Sequence, residues 1–321
     1  MNFSDIKKKI EKDYPSLFPY MLMLQRGSMK LVCDMPQDEF IKGVMKCFKR
    51  NMGHSFDINN PVTFNEKLQW YKVFYERDDF GYITDKVTFK DYINKKLGEG
   101  YTVPMYGNWD NIDDFERDWA SLPEKFVLKS NLAANASAVI VIEQKSKLSF
   151  PDVKKRVKHW LKKENTLLNS WDWRFYNSTP KILAEQFMQD EHGELRDYKF
   201  FCFDGKVAYF RVDYGRKQQH HATWYDTNKN ELDLSVDSFT KDENTKIVLP
   251  KTIDTMYSLA MELSKGFPFI RVDLFSCHDK IYLSELTFAP GGGVTPYPDW
   301  FDKELGEMFV LPRKLELHIL R

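Results

Sequence analysis

The chain has 321 residues, which is enough for about two domains. Hydrophobic residues make up 42% and charged residues 29%, a globular composition that excludes a disordered chain. The 47 basic and 47 acidic side chains balance to a formal net charge of zero, which argues against a dedicated nucleic-acid-binding protein.

The cysteines and the apolar segments favour a cytoplasmic protein. Cys33, Cys47, Cys202 and Cys277 have neither metal-site nor redox-motif spacing, so we expect reduced thiols. The first residues lack the apolar run of a secretory signal. The most apolar short stretch, 17–24, is far below the ~18–20 residues of a spanning helix, so no transmembrane segment is expected.

The N-terminal part is predicted to be helical. Apolar residues recur at helical spacing within residues 1–58, and a turn at 60–67 leads into a helix that continues to about residue 74. Further helices are predicted at 86–96 and at 110–119.

After Pro123 the pattern changes to short apolar runs, which predict strands. These strands are expected at 126–130, 138–142, 182–187, 197–213 (a hairpin turning at Asp204-Gly205), 269–276 and 280–287, with helices at 149–163 and 252–263. The pattern is typical of an α+β protein rich in antiparallel strands.

Several common nucleotide and metal motifs are absent. The sequence contains no G-x-x-x-x-G-K-[ST] loop, no G-x-G-x-x-G and no H-E-x-x-H. It also contains no D-x-D pair, which weakens the hypothesis of a metal-dependent glycosyltransferase.

The last predicted hairpin carries the most informative residues. Because strand side chains alternate between faces, Arg271 and Asp273 share one face, and Glu285 and Thr287 share one face of the returning strand. With the turn at 277–279, Asp273 and Glu285 fall roughly opposite each other, where two carboxylates repel unless a positive charge lies between them. A Mg²⁺ ion suits this arrangement. The alternative is a pair of solvated carboxylates on an ordinary hairpin.

Two further charged residues lie in apolar strands. Lys129 either extends its ammonium to solvent at the strand end or contacts phosphate in a cleft. The loop 131–137 that follows offers backbone N–H groups but contains no glycine. Glu185 ends an apolar strand, where the backbone of residues 185–187 either pairs with a purine edge or forms an ordinary strand end.

The order of these pieces resembles the ATP-grasp superfamily, and within it the TupA-like branch known from teichuronopeptide and other bacterial surface-polysaccharide gene sets. The resemblance extends from about residue 55 to residue 307. The matching stretches are Asn60-Pro61 with Thr63-Phe64-Asn65-Glu66-Lys67-Leu68-Gln69-Trp70, Thr84-Asp85-Lys86, Leu122-Pro123 with Lys125-Phe126-Val127-Leu128-Lys129, Ala184-Glu185, Asp197-Tyr198-Lys199-Phe200-Phe201-Cys202-Phe203 with Gly205-Lys206-Val207, Phe267-Pro268-Phe269 with Arg271-Val272-Asp273-Leu274, and Glu285-Leu286-Thr287-Phe288 with Pro290-Gly291.

The resemblance implies an α+β ATP-grasp fold, in which two lobes hold Mg-ATP and a carboxylate is joined to an amine through an acylphosphate, with release of ADP and phosphate. We expect a helical extension at 1–58, a helical linking part at 59–121, a small ATP-clamping lobe at 122–187 and a large lobe with the metal site at 188–321.

The resemblance also implies which residues bind the nucleotide. Lys86 and Lys129 would contact the ATP phosphates. Glu185, Gln186 and Phe187 would form the adenine-side hinge.

The remaining implied roles concern the metal and the chemistry. Asp273 and Glu285 would hold Mg²⁺, together with Thr287, where the superfamily usually has Asn. Lys199 would face the phosphates, and Arg271 would stabilise the charge of the acylphosphate.

One loop departs from the family. The family usually carries a histidine and glycines after the Lys129 strand, whereas this chain has Leu132-Ala133-Ala134-Asn135-Ala136-Ser137. Side chains there restrict the backbone's approach to phosphate. The loop either closes over ATP with donors from Asn135 and Ser137, or binds ATP weakly in a specialised or degenerate member.

The sequence supports three hypotheses about function. The first is a ligase joining an amino acid or amine to a uronic-acid-type sugar of a capsular or cell-surface polysaccharide, with a small-molecule or glycan acceptor. The second is a glycosyltransferase of the same pathway, and the third is a non-catalytic ATP-grasp-like scaffold. Two hypotheses concern residues 1–58. In the first they complete the acceptor pocket, and in the second they form a dimer face.

Overall fold

The computed structural model describes residues 21, 36–132, 138–162, 171, 174, 178–216, 218–236 and 240–313. The predictions for residues 1–20 and 22–35, and those for Asn135 and Ser137, lie outside the described residues.

The described chain contains helices and two antiparallel sheets. The helices are α1 (Gln37–Met52), α2 (Phe64–Phe74), α3 (Phe80–Thr84), α4 (Thr88–Leu97), α5 (Ile112–Asp118), α6 (Phe150–Val157), α7 (Ile253–Ser264) and α8 (Asp299–Met308). The strands are β1 (Met105–Trp109), β2 (Phe126–Ser130), β3 (Val139–Ile142), β4 (Ile182–Gln186), β5 (Asp197–Phe203), β6 (Lys206–Tyr214), β7 (His221–Tyr225), β8 (Glu231–Leu232), β9 (Ile270–Cys277) and β10 (Lys280–Thr287). No helix among the described residues combines the length and apolar content needed to cross a membrane.

The strands form a smaller and a larger sheet. The four-stranded sheet has the order β1-β4-β2-β3, and the six-stranded sheet has the order β10-β9-β5-β6-β7-β8. Every described strand pair is antiparallel. The predicted α+β class and the two predicted hairpins are therefore confirmed, and the first hairpin turns at Asp204-Gly205 with positive φ at both residues.

Some elements were not indicated by the sequence pattern. Strand β1 reads Met-Tyr-Gly-Asn-Trp and has no clear alternation of apolar and polar residues, yet it pairs with β4 at the sheet edge. Strand β1 also brings part of the predicted linking region 59–121 into the smaller sheet. The domain boundaries at residues 122 and 188 stay a prediction. The helix predicted at 149–163 is α-helical only to Val157 and continues as a 3₁₀ turn to Leu161.

Helix α2 forms the centre of the larger core. Its first turn is closed by a capping box, in which Thr63 Oγ1 accepts from Glu66 N and Glu66 Oε2 accepts from Thr63 N. All of its residues except Lys67 are buried. The Lys67 ammonium instead donates to Gly306 O at 2.7 Å and so caps the C-terminal end of α8. Helix α2 is thus tied to its neighbours along its whole length.

The two faces of the six-stranded sheet are covered differently. On β5, Phe200 faces α7 and packs against Tyr257, with ring centroids 5.8 Å apart. The opposite face is apolar at one end, where Phe201 and Trp224 pack against each other and against α2 and α8. At its other end this face is polar. The helices therefore bury one end of the face and leave the other for charged residues.

The contact between α8 and the start of α2 provides a steric test. A Cβ at Gly306 would collide with Val62 O and lie 2.9 Å from Phe64 N. We expect Gly306→Ala to lower the free energy of unfolding by about 1–2 kcal/mol, because overpacking outweighs the ~1 kcal/mol gain in helix propensity. Urea unfolding measures this, with exposed Glu307→Ala as the control, expected within about 0.5 kcal/mol of wild type. A Gly306→Ala protein more stable than wild type would contradict the packing.

Candidate active site between the two sheets

Four charged residues form a row across the polar end of the six-stranded sheet. Arg211 pairs with Lys199, Lys199 with Asp273, and Asp273 with Glu285, on β6, β5, β9 and β10. An irregularity in β10 around Ser284 shifts the register and sets Glu285 opposite Asp273. The prediction that these two carboxylates face each other is confirmed.

The carboxylates of this row are held by cations. Arg271 donates to Asp273 through Nε at 2.7 Å and Nη2 at 2.6 Å, and Nη2 also reaches Glu285 Oε1 at 3.0 Å. Thr287 Oγ1 donates to the same Glu285 oxygen at 2.9 Å. Lys199 Nζ lies 2.8 Å from Asp273 Oδ2. The sheet therefore compensates both carboxylates with its own cations.

The environment moves the pKa values of the two carboxylates apart. Burial raises the pKa of Asp273, which is 0% exposed, to about 6, while Arg271 and Lys199 oppose the rise. Burial also raises the pKa of Glu285, but Lys86 and Arg271 outweigh it and hold that pKa well below its usual range. Glu285 is also the more accessible of the two, with 31% of its side chain exposed.

A second cluster lies on the four-stranded sheet around Glu185. Its Oε1 is 2.5 Å from Lys90 Nζ and its Oε2 is 2.6 Å from Lys129 Nζ. Burial raises the pKa of Glu185, but Lys129 and Lys90 outweigh it and lower that pKa to about 2. Lys129 is thus neither a solvated strand end nor an unpaired buried charge, because it is paired within the site.

Sequence reasoning missed Lys90. It lies on α4 three residues before buried Ile93, so a lysine on the buried face of an amphipathic helix was the available signal. Its ammonium also donates to Val103 O at 2.6 Å.

Lys86 links the two clusters. Its Nζ lies 4.0 Å from Glu285 Oε2, and its backbone N donates to Asn131 O at 3.1 Å. The residue before it, Asp85, accepts from Asn131 Nδ2 at 2.7 Å and from Val87 N at 2.8 Å. Asp85 and Asn131 are buried and hold the Lys86 backbone beside the end of β2. Burial lowers the pKa of Lys86, and Glu285 opposes this effect.

The structure brings most of the predicted site residues together. Those within the two linked clusters are Lys86, Lys129, Glu185, Lys199, Arg271, Asp273, Glu285 and Thr287.

The predicted hinge residues lie at the end of β4. The side chain of Gln186 is exposed, and its backbone N donates to Pro104 O at 2.9 Å. Phe187 is half-buried, with the Lys125 ammonium 5.4 Å from its ring centroid. An adenine-binding role for these residues stays a prediction.

The oxygens around Asp273 fit a Mg²⁺ ion that receives further ligands from elsewhere. Asp273, Glu285 and Thr287 supply hard oxygen donors, and protein Mg²⁺ sites often use one or two carboxylates plus substrate phosphates. Within the part of the chain that the structure describes, no group of three or more His, Cys, Asp or Glu side chains forms a self-sufficient metal cage.

A glycine turn follows β10 directly. Gly291, Gly292 and Gly293 all have positive φ, at 59°, 67° and 69°. From α2, Gln69 Nε2 donates to Gly293 O at 2.5 Å and Lys72 Nζ to Gly292 O at 2.9 Å. The buried polar residues of α2 therefore hold this turn next to the end of the strand that carries Glu285 and Thr287.

A family model described as "TupA-like ATPgrasp" matches residues 66–310. Since that is most of the sequence, the chain belongs to the TupA-like ATP-grasp family, as the motifs predicted. No curated protein matches the chain.

Among solved structures, the chain is similar to a D-alanine–D-alanine ligase from Bacillus anthracis (18% identity, TM-score 0.42, covering 71% of this chain and 66% of that one). It is similar to the corresponding ligase from Helicobacter pylori (14%, 0.39, 71% and 61%). It is also similar to N5-carboxyaminoimidazole synthetase from Staphylococcus aureus complexed with ADP (12%, 0.41, 72% and 53%). The chain thus matches 53–66% of the length of these proteins.

The Glu185 cluster predicts acid sensitivity. Because the folded pKa of about 2 lies below the ordinary 4.5, the ionised form stabilises the fold above about pH 4.5, and this contribution is lost as the pH falls toward 2. We expect Glu185→Gln to cost about 3 kcal/mol at pH 7 and about half of that near pH 3.5. Urea unfolding at both pH values measures the difference.

The control is Glu116→Gln, which removes an exposed partner of Lys154 and should cost less than about 1 kcal/mol at either pH. A cost for Glu185→Gln that does not change with pH would show that charge pairing is not its cause.

The glycine turn offers a matched pair of substitutions. Gly292 and Gly293 have nearly the same φ, but a Cβ has open space at Gly292, whereas at Gly293 it collides with Gln69 Nε2 and lies 2.9 Å from Leu68 Cβ. We expect Gly292→Ala to cost about 1 kcal/mol from backbone strain and Gly293→Ala about 1–3 kcal/mol more. Equal losses in urea unfolding would refute the contact between α2 and the turn.

Proposed function

We propose that the protein is an ATP-dependent ligase that joins a carboxylate to an amine through an acylphosphate, with ADP and phosphate as products. The observation that carries this proposal is the row of Lys199, Asp273 and Glu285, with Lys86 on the segment between α3 and α4 lying 4.0 Å from Glu285. Membership in the ATP-grasp family supports the same reaction class.

The two clusters would bind different parts of Mg-ATP. Asp273, Glu285 and Thr287 would hold Mg²⁺, and Lys86 and Lys129 would hold the phosphates. When bound, Mg-ATP supplies the phosphoryl group that activates the carboxylate and the metal charge that balances it. Glu185 keeps Lys129 oriented through the 2.6 Å ion pair.

Arg271 and Lys199 would stabilise the negative charge of the reacting carboxylate and phosphate. Both are buried and fixed by Asp273, so their orientation requires little reorganisation during the reaction. Phosphoryl transfer depends mainly on such positioning and charge stabilisation. These residues orient and neutralise, and the described site requires no covalent step on the protein.

The family resemblance supports a particular substrate class. A uronic-acid-type sugar of a capsular or cell-surface polysaccharide would supply the carboxylate, and an amino acid or amine would attack it. A cytoplasmic location, where ATP is available, fits this reaction. No described feature specifically favours the glycosyltransferase alternative.

The metal site can be tested by thermal unfolding with and without Mg-ADP. A ligand at ~100 times its dissociation constant adds about 2.7 kcal/mol, which shifts the melting temperature measurably. We expect a Mg²⁺-dependent shift in wild type and its loss in Asp273→Asn/Glu285→Gln. The control Glu99→Gln/Asp113→Asn changes two exposed carboxylates outside the clusters and should keep the shift.

Product assays separate the remaining possibilities. Formation of ADP and phosphate with an amine and a carboxylate supports the ligase, whereas full turnover by Glu285→Gln would contradict its metal role. A nucleotide released from a nucleotide-sugar without ATP would identify a glycosyltransferase. Mg-ADP binding without turnover over a broad substrate panel would identify a scaffold.

A further inference from the structure

The network of ion pairs continues beyond the residues assigned to Mg-ATP. Lys199 also contacts Asp197, and Asp197 Oδ2 accepts from Arg216 Nη2 at 2.9 Å. The side chain of Arg216 is 48% exposed, whereas those of Lys199 and Arg271 are only 8% and 10% exposed. Arg216 is therefore where this buried network becomes accessible to a ligand.

Three cationic or titratable groups surround one buried carboxylate next to Asp197. Asp213 has 1% of its side chain exposed, and its oxygens lie 2.8 Å from Arg211 Nε, 3.5 Å from Arg216 Nη2 and 3.3 Å from His220 Nε2. We refer to Asp197, Arg211, Asp213, Arg216 and His220 as the Arg216 cluster.

The cations at this end of the face differ in their exposure to solvent. Lys199 contacts Asp197 and Asp273, Arg216 contacts Asp197 and Asp213, and Arg211 contacts Asp213, so three cations meet three carboxylates. Among these three cations Arg216 has the half-exposed side chain, since those of Lys199 and Arg211 are only 8% and 12% exposed. An accessible guanidinium attracts an anionic group, and its planar set of N–H donors suits a carboxylate in particular.

The cluster also contains an acceptor without a donor. Asp197 Oδ1 is buried and has no hydrogen-bond partner among the described residues, although Oδ2 has two. Leaving a buried carboxylate oxygen unsatisfied is costly, so the site suits a ligand that brings its own donor. Arg216 lies beside this residue, so a modest shift of its half-exposed side chain is the simplest way for a ligand to reach the oxygen.

The cluster lies at a suitable distance from the phosphate-facing row. Asp197 is two residues from Lys199 on the same face of β5, or about 6.6 Å along the strand, and Asp213 is opposite it on β6, about 5 Å away. An amino acid bound at the cluster would place its amino group on the side nearest the row that contains Lys199 and Asp273.

We propose that the Arg216 cluster binds an α-amino acid, with Arg216 and His220 contacting its carboxylate and Asp197 its ammonium group. This deepens the proposed function and rests on it: the amino acid is the amine substrate of the ligase. The α-carboxylate anchors the substrate and is distinct from the carboxylate that is activated.

The test is isothermal titration of wild type and Arg216→Gln with the twenty standard L-amino acids, D-alanine and glucuronic acid, each with and without Mg-ADP. Each amino acid that binds is compared with its α-amide, which keeps the ammonium group but loses the carboxylate charge. We expect at least one free amino acid to bind about tenfold more tightly than its amide. In Arg216→Gln this preference should disappear, with the affinity for Mg-ADP unchanged.

The matched control is Arg117→Gln, the same substitution at an exposed, ion-paired arginine on α5, which should keep the preference. The proposal is overturned if no amino acid binds, if amides bind as well as acids, or if the preference survives in Arg216→Gln. Binding of glucuronic acid alone, with the same dependence on Arg216, also overturns it. Failure of Mg-ADP to bind would instead count against the proposed function, because the titrations without nucleotide still decide the amino-acid site.

Discussion

The site depends on one physical constraint, which is that a buried carboxylate requires nearby cations. Asp273 is completely buried on β9, the second strand of the six-stranded sheet, where an uncompensated charge would be strongly destabilising. Arg271 compensates it from two residues away on the same strand, and Lys199 from the directly opposite position on β5. The register of these strands is therefore coupled to the electrostatics of the site.

The helices cover one end of the sheet face that carries Asp273 and leave the other end of this face open. Helices α2 and α8 pack over the apolar end, so the charged end is left to meet Lys86 from the segment between α3 and α4. Helix α2 also holds the glycine turn through Gln69 and Lys72. A single buried helix thus contributes both to the core and to the geometry beside Glu285.

Ion pairing explains how two sheets of different size can form one site. Glu185 pairs Lys90 from α4 with Lys129 from β2, and Lys86 extends from the same region toward Glu285. Through Lys199 the network continues to Asp197 and Arg216, where it reaches solvent. Nucleotide, metal and amine sites would then share one continuous set of charges.

The sequence by itself determined the α+β class, both hairpins and the approximate opposition of Asp273 and Glu285, because strand periodicity and turn residues are local properties, whereas the irregularity at Ser284 set their exact register. Its ordered motifs also identified the family. Only the tertiary structure decided that Lys90 joins the site, that β1 completes the smaller sheet, and that Arg271 and Lys199 neutralise Asp273. These features depend on contacts between residues distant in sequence, and neither hydrophobic periodicity nor residue spacing encodes which buried charge will meet which partner.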